Sequence, residues 1–303
     1  MKYLILDVSN LLYRNYYANQ NEDDETAAGL AMHSALVTMH KYFKQYKPHN
    51  TIMCYDRSSW RKDYTASEQC LSKKPYKGNR RQNMTPAQEA KFIRFKNHLR
   101  EFENLISNHT TIVSLAEDSL EADDLIAGFV QIYEDESNEI IVISADSDLL
   151  QLTRYRNVKV ISPKDDKEQS LADYFNDPLY YVFQKCVRGD PTDNVQSAFP
   201  RVKSTRIRKA YEDPAERVQF MKESWTNETS TEFTVEAIFK ENQLLIDLEK
   251  QPPEIRAKIF ETVERGMSKK RQFSMFHFLQ FIGKHELNKI KEQMDQYLPL
   301  LSK

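Results

Sequence analysis

The chain has 303 residues, 40% of them hydrophobic and 29% charged, with a net charge of −2. This is the composition of a globular protein with enough apolar chain for one large or two medium domains. Its apolar runs are strand-sized, which argues against a membrane-spanning helix. A strand pattern opens at residue 3 with no charged-then-apolar leader, so a cytoplasmic location is expected (host cytoplasm, if the source is viral). Cys54, Cys70 and Cys186 are odd in number and form no CxxC pair, which argues against a disulfide frame and a zinc site. The six glycines are too dispersed for a GxGxxG or Walker loop, removing the common nucleotide-cradling folds.

Residues 3–7 read as a buried strand, and 11–17 and 30–46 as helices packed on a sheet. A second strand spans 51–56. From 58 to about 86 the apolar periodicity fails and Lys, Arg, Tyr, Asn and Gln dominate, the mark of a functional segment inside an α/β unit. Helical pattern resumes over 86–106, with Pro86 suited to a first turn. A short strand at 111–115 precedes a helix over 120–133, for which Ser119 is the expected N-cap. Residues 139–144 form the clearest strand, followed by a helix through Leu152 and a strand at 157–161. Strands alternating with helices predict an α/β fold with a mostly parallel central sheet. Strand signals stop after about 170, so we place a boundary near 180, between an α/β domain (1–180) and a helical C-terminal domain (181–303).

Charge is distributed unevenly. Residues 57–100 hold twelve Lys/Arg against three acids, a net +9 that leaves −11 on the rest of the chain. The acids cluster where apolar runs stop. Asp7 and Asp56 close the first two strands, and Glu121, Asp123 and Asp124 open a helix. Asp146 and Asp148 follow the best strand, while Asp190 and Asp193 lie in Gly189-Asp190-Pro191-Thr192-Asp193-Asn194. In a parallel sheet, strand C-terminal ends face one crevice. So many carboxylates there repel one another unless cations neutralise them. Oxygen-only donors match Mg²⁺, with Mn²⁺ as a substitute, and two such ions suit phosphodiester hydrolysis. The histidines lie outside these clusters, which disfavours zinc hydrolases and Ser/His/Asp chemistry. A basic segment beside an acidic crevice suits a polyanionic substrate.

The motifs also come in a recognisable order: Asp7 with Asn10 to Arg14, Asp56, Tyr76-Lys77-Gly78-Asn79-Arg80, Glu121-Ala122-Asp123-Asp124, Ser144 to Asp148, and Gly189-Asp190-x-x-Asp193-Asn194. Over residues 3–210 this resembles the flap endonuclease / 5′-3′ exonuclease family, and most of all its T-even bacteriophage ribonuclease H branch. The resemblance implies a PIN-like 5′-nuclease fold acting on DNA with 5′ ends or flaps and on RNA–DNA duplexes. It implies that Asp7, Asp56, Glu121 and Asp123 surround a first metal, and that Asp146, Asp148, Asp190 and Asp193 serve a second, with Asp124 contributing from outside. Lys77 matches a lysine that contacts the scissile phosphate, and Arg81 or Arg80 its arginine partner. Tyr76 would stack near the reacting nucleotide, and the basic segment would form an arch or loop for a 5′ single strand. Arg14, Arg61, Lys62, Lys73 and Lys74 are further candidate nucleic-acid contacts.

One family feature is replaced. A glycine hairpin that holds duplex backbone, often with K⁺, would follow Asn194, yet residues 196–209 contain no glycine. The K⁺ site loses its usual residues, and the helix-hairpin-helix element is degenerate. Arg201, Lys203, Arg206, Arg208 and Lys209 would take over the phosphate contacts. Residues 272–279 loosely resemble a sliding-clamp peptide, but helical periodicity favours Phe273, Phe276 and Phe281 as core. Recruitment by a clamp or a single-strand-binding protein stays open, and a monomer is expected. Two rivals are a PIN-like ribonuclease, disfavoured by the basic insertion and the Gly189–Asn194 motif, and a non-catalytic DNA-binding paralogue, disfavoured by the complete acidic set.

Overall fold

The computed structural model describes residues 1–19, 21–80, 84–227 and 230–302. Strand β1 (Lys2–Asp7) runs into α1 (Val8–Ala18), and α2 (Asp24–Tyr46) returns to β2 (Asn50–Cys54). After α3 (Trp60–Ala66) and α4 (Pro86–His109) come β3 (Val113–Leu115), α5 (Ala122–Ile132) and β4 (Glu139–Ile143). A 3₁₀ helix (Ser147–Arg154) leads to β5 (Val158–Ser162) and a short β6 (Lys167–Glu168). The sheet order is β3-β2-β1-β4-β5-β6, parallel except for β6. The chain order reverses between β1 and β4, which opens a crevice at their C-terminal ends.

Both faces of the sheet are covered, as parallel strands require. Alternate residues point to opposite sides. Tyr3, Ile5, Ile52, Ile140 and Val142 face one buried cluster, while Leu4, Leu6, Met53, Ile141 and Ile143 face the other. The C-terminal part comprises α6 (Pro178–Arg188), α7 (Ser204–Glu212), α8 (Pro214–Lys222), the hairpin β7 (Ser224–Thr226)–β8 (Glu232–Thr234), α9 (Val235–Ile246), α10 (Pro253–Ser268), α11 (Met275–Lys284), α12 (Asn288–Glu292) and α13 (Met294–Leu301). Residue 180 falls within α6, and buried residues on both sides of it, from Tyr3 to Val263, form one cluster. Among the described residues, no helix is long and apolar enough to cross a membrane.

Four expectations are corrected. Ser119 does not cap α5; it adopts φ 70°, and Glu121 takes the N-cap in a capping box with Asp124. The turn after β4 is 3₁₀ rather than α-helical, and Asp146 caps it by accepting from Asp148 N. Strands do continue after residue 170, in the β7–β8 hairpin, whose three-residue arms are too short for a periodicity signal. On α11, Phe278 and Phe281 are buried, but Phe276 is 72% exposed, since the buried stripe follows Phe278, Phe281 and Ile282.

Candidate active site

Three strand ends and one helix start supply a first group of carboxylates. Asp7, at the end of β1, caps α1 by accepting from Asn10 N (3.0 Å) and from Ser144 Oγ (2.9 Å). Asp56, just past β2, accepts from Ala122 N at 2.8 Å, and its own N–H donates to Ser9 Oγ. Asp123 stands in the first turn of α5, and Asp146 follows β4. Burial and then Asp56 push the Asp7 carboxyl up to about 7, with Asp146 adding to the shift. Burial, then Asp146, Asp7 and Asp56, raise Asp123 well above the carboxylate range. Asp56 reaches solvent, yet loss of hydration against the walls and then Glu121 raise it too. Both causes, lost hydration and neighbouring negative charge, are ones that a bound cation would offset.

Two lysines answer part of the charge. Lys77 Nζ lies 2.6 Å from Glu121 Oε1 and 3.6 Å from Asp193 Oδ2. Lys185 Nζ lies 2.8 Å from Asp190 Oδ2 and also pairs with Asp148. Burial would raise Glu121, but Lys77 and Arg61 bring it down to about 2. Burial likewise opposes, and the Lys185 hydrogen bond overrides, in lowering Asp190. At Asp148 the balance reverses: burial raises it despite Lys185. Among the described residues, no three carboxylates of the crevice bring ligand oxygens within 4.8 Å of one another.

The basic segment docks onto the Gly189–Asn194 turn. Lys77 N donates to Asp193 O (2.8 Å), Asn79 Nδ2 to Pro191 O (3.0 Å) and Asn194 Nδ2 to Pro75 O (2.9 Å). Tyr76 Oη donates to Asp193 Oδ2 at 2.7 Å, and Arg80 also pairs with Asp193. The turn itself needs its glycine. Gly189 has φ +72°, and a Cβ there would sit 2.5 Å from Val195 O, against the Asp190–Val195 bridge. Behind it, fully buried Asn242 donates to Cys186 O and Gln196 O.

Several candidates are placed elsewhere than expected. Arg61 is 2% exposed and holds Asp124 with two nitrogens (2.8 and 3.0 Å), Glu121 (3.2 Å) and Leu245 O. It is a buried strut, out of reach of nucleic acid. Asp124, 0% exposed, accepts from Arg61 with both oxygens and from Glu121 N, which holds it in the interior away from the crevice. The Tyr76 ring is 6% exposed, with Lys77 and Arg61 lying 4.9 and 5.9 Å from its centroid. It offers no free face for stacking. Arg81 lies outside the described residues. Lys62, Lys73 and Lys74 are exposed on the basic segment, and Arg14 is half-buried on α1.

On α7 and its approach, Arg201 and Lys203 are exposed. Arg206 pairs with Glu223, Arg208 with Glu212 and Lys209 with Glu216. Sequence reasoning missed Lys185, Asn242 and Ser144. The only signals were a lysine one helical turn before Gly189 and a serine opening Ser-Ala-Asp-Ser-Asp.

A family model described as 5′-3′ exonuclease, N-terminal resolvase-like domain, matches residues 2–178. DNA polymerase I of Mycobacterium leprae is 27% identical over 203 residues, covering 63% of this chain and 20% of that protein. Ribonuclease H of Enterobacteria phage T4 is 31% identical over 150 residues, 47% of this chain and 48% of that one. The chain thus spans about a fifth of the polymerase it matches. The T5 D15 protein co-crystallised with metal ions superposes with a TM-score of 0.65 at 18% identity, over 88% of this chain and 99% of that one. The T5 D15 flap endonuclease in a pseudo-enzyme-product complex with DNA and metal ions gives 0.63 at 18% identity, over 89% and 100%. At that identity these two establish a shared fold. The family model covers more than half of the chain, so the chain belongs to the 5′-3′ exonuclease / flap endonuclease family of nucleases.

Proposed function

We propose that this protein is a divalent-metal-dependent nuclease that hydrolyses phosphodiesters at 5′ ends or flaps of DNA, and in RNA primers paired to DNA, during replication. The observation that carries this reading is the group Asp7, Asp56, Asp123 and Asp146 at three strand ends and one helix start, three of them raised by burial first and then by neighbouring carboxylates. All donors are oxygen, which fits Mg²⁺ or Mn²⁺. The metal-bound T5 structures and the T4 ribonuclease H match support the same assignment.

Asp7, Asp56, Asp123 and Asp146 would hold one ion; Asp148, Asp190 and Asp193 would serve a second, with Glu121 beside Lys77. When bound, two such ions supply the charge that activates water and stabilises the attacking and leaving oxygens. Lys77 is held at the edge of the crevice by Glu121 and Asp193, and those partners keep it protonated. It places a fixed positive charge where the phosphorane oxygens gain charge. Arg80, half exposed and paired with Asp193, adds a second. Lys62, Lys73, Lys74, Arg201 and Lys203 would hold phosphates away from the reacting bond.

The test uses flap, nicked and RNA-primed duplexes carrying 5′ and internal labels, in Mg²⁺ and in chelator. Chelator-sensitive release of 5′ products is expected. No metal-dependent cleavage of any of the three overturns the reading.

A further inference from the structure

A second donor cluster lies outside the acidic crevice. Glu25 in the first turn of α2, His98 in the middle of α4 and His285 at the C-cap of α11 bring ligand atoms within 4.8 Å of one another. Among the described residues it is the only group of three this tight. Glu101, one turn after His98 on α4, adds an oxygen 3.2 Å from His285 Nε2. These residues are far apart in sequence and are brought together by helix packing. A Cβ on Gly29, one turn after Glu25, would lie 3.2 Å from His285 O, so the glycine lets α2 approach the end of α11.

His98 is unusual in what it leaves unused. His98 is only 12% exposed in its side chain, and its Nε2 lies 3.6 Å from Glu25, too long for a hydrogen bond. Its Nδ1 is buried with no hydrogen-bond partner among the described residues. A buried polar atom left so costs roughly 1–3 kcal/mol. A histidine that served only packing would have a partner for one nitrogen. The side chain of His285 is 1% exposed.

We propose that Glu25, His98 and His285 form a zinc-class cation site, with Glu101 as a fourth donor, that straps the C-terminal helix α11 to α2 and α4. Two imidazoles with carboxylates match Zn²⁺, and poorly match Mg²⁺. Zinc sits about 2 Å from each donor, so the side chains need close by only about an ångström. The Lys284–Glu101 pair, at 2.8 Å, opens if Glu101 joins. The dispersed cysteines pointed away from zinc; this donor set uses none of them. Because α4 carries the C-terminal part of the basic segment, the ion would brace that part without touching the reacting phosphate.

The experiment is calorimetric titration of the full chain with ZnCl₂ in excess Mg²⁺, added to compete for the oxygen-only crevice. One Zn²⁺ per chain is expected, with a rise in Tm by linkage. His98→Asn and Glu25→Gln should each weaken uptake by about tenfold or more, while cleavage in Mg²⁺ stays unchanged. Glu25 is 76% exposed in its side chain, so Glu25→Gln carries the test if His98→Asn folds poorly. Co²⁺ in place of Zn²⁺ should give visible absorption that both variants lose. No uptake, or uptake that neither variant weakens (an adventitious ion only), overturns the proposal.

Discussion

Lys185 Nζ stands 2.8 Å from Asp190 Oδ2 and pairs at the same time with Asp148, so one ammonium joins the strand-end acids to the Gly189–Asn194 turn. Its partners keep it charged despite burial. It is a tethered cation in the half of the crevice assigned to a second metal.

Replacing it tests that role. In chelator, Lys185→Met should lose about 2 kcal/mol, somewhat under the roughly 3–5 kcal/mol for breaking a fully buried pair. Mg²⁺ should restore most of the loss, because an ion can then sit between the two acids. Denaturant unfolding with and without Mg²⁺ reads both values; equal loss in the two conditions contradicts the role.

Asp146→Asn should abolish cleavage while duplex binding is kept or improved, because phosphate then meets less negative charge. Asp123→Asn should likewise silence the enzyme, yet stabilise the metal-free protein, since burial and three neighbouring carboxylates oppose its ionisation. Binding by anisotropy, turnover and Tm in chelator form the set of measurements. Full activity in both variants would sink the metal assignment.

The metal-free protein should lose stability as pH rises from about 4 to 7. Asp7 is pushed up to about 7 in the fold and titrates near 3.9 when unfolded. Between those values the native state binds more protons than the unfolded state, so stability falls with pH, by at most about 1.4 kcal/mol per unit for one group. Glu121, held at about 2, acts oppositely and weakens the fold only below about pH 4. Saturating Mg²⁺ should flatten the upper window; chemical unfolding at several pH values checks this.

Arg61→Leu should cost about 3–5 kcal/mol by leaving Asp124 buried and unpaired, and Asp124→Leu a similar amount. The double variant should lose less than the sum, because the two share one interaction. A surface role for Arg61 would instead give weaker DNA binding with unchanged stability.

Lys77→Ala should slow single-turnover cleavage more than it weakens duplex affinity, since Lys77 faces the crevice and exposed cations elsewhere carry the salt-dependent binding. An unchanged turnover rate would count against its placement on the developing charge.

The strand-and-helix order, the parallel sheet and the positions of the acids were legible from apolar runs that end in aspartate. Local patterns carry that information because a strand between two helical layers must be apolar on both faces. The direction of each side chain was not legible. Glu121, Asp123 and Asp124 are consecutive or nearly so, yet Asp123 enters the crevice while Asp124 is buried against Arg61, a pairing 63 residues apart in sequence. Residues 196–209 read as purely basic, but Glu212, Glu216 and Glu223 pair with three of their cations.

What the sequence determined by itself is the inventory of this nuclease: which acids, in which order, around which basic segment. The tertiary structure decided their partners. Lys77 and Lys185 each bridge two carboxylates, Tyr76 is spent on Asp193, and Glu25, His98 and His285 meet at a three-helix junction. Such pairings depend on burial and on contacts between distant segments, where electrostatics strengthen as water is excluded. No local spacing encodes them.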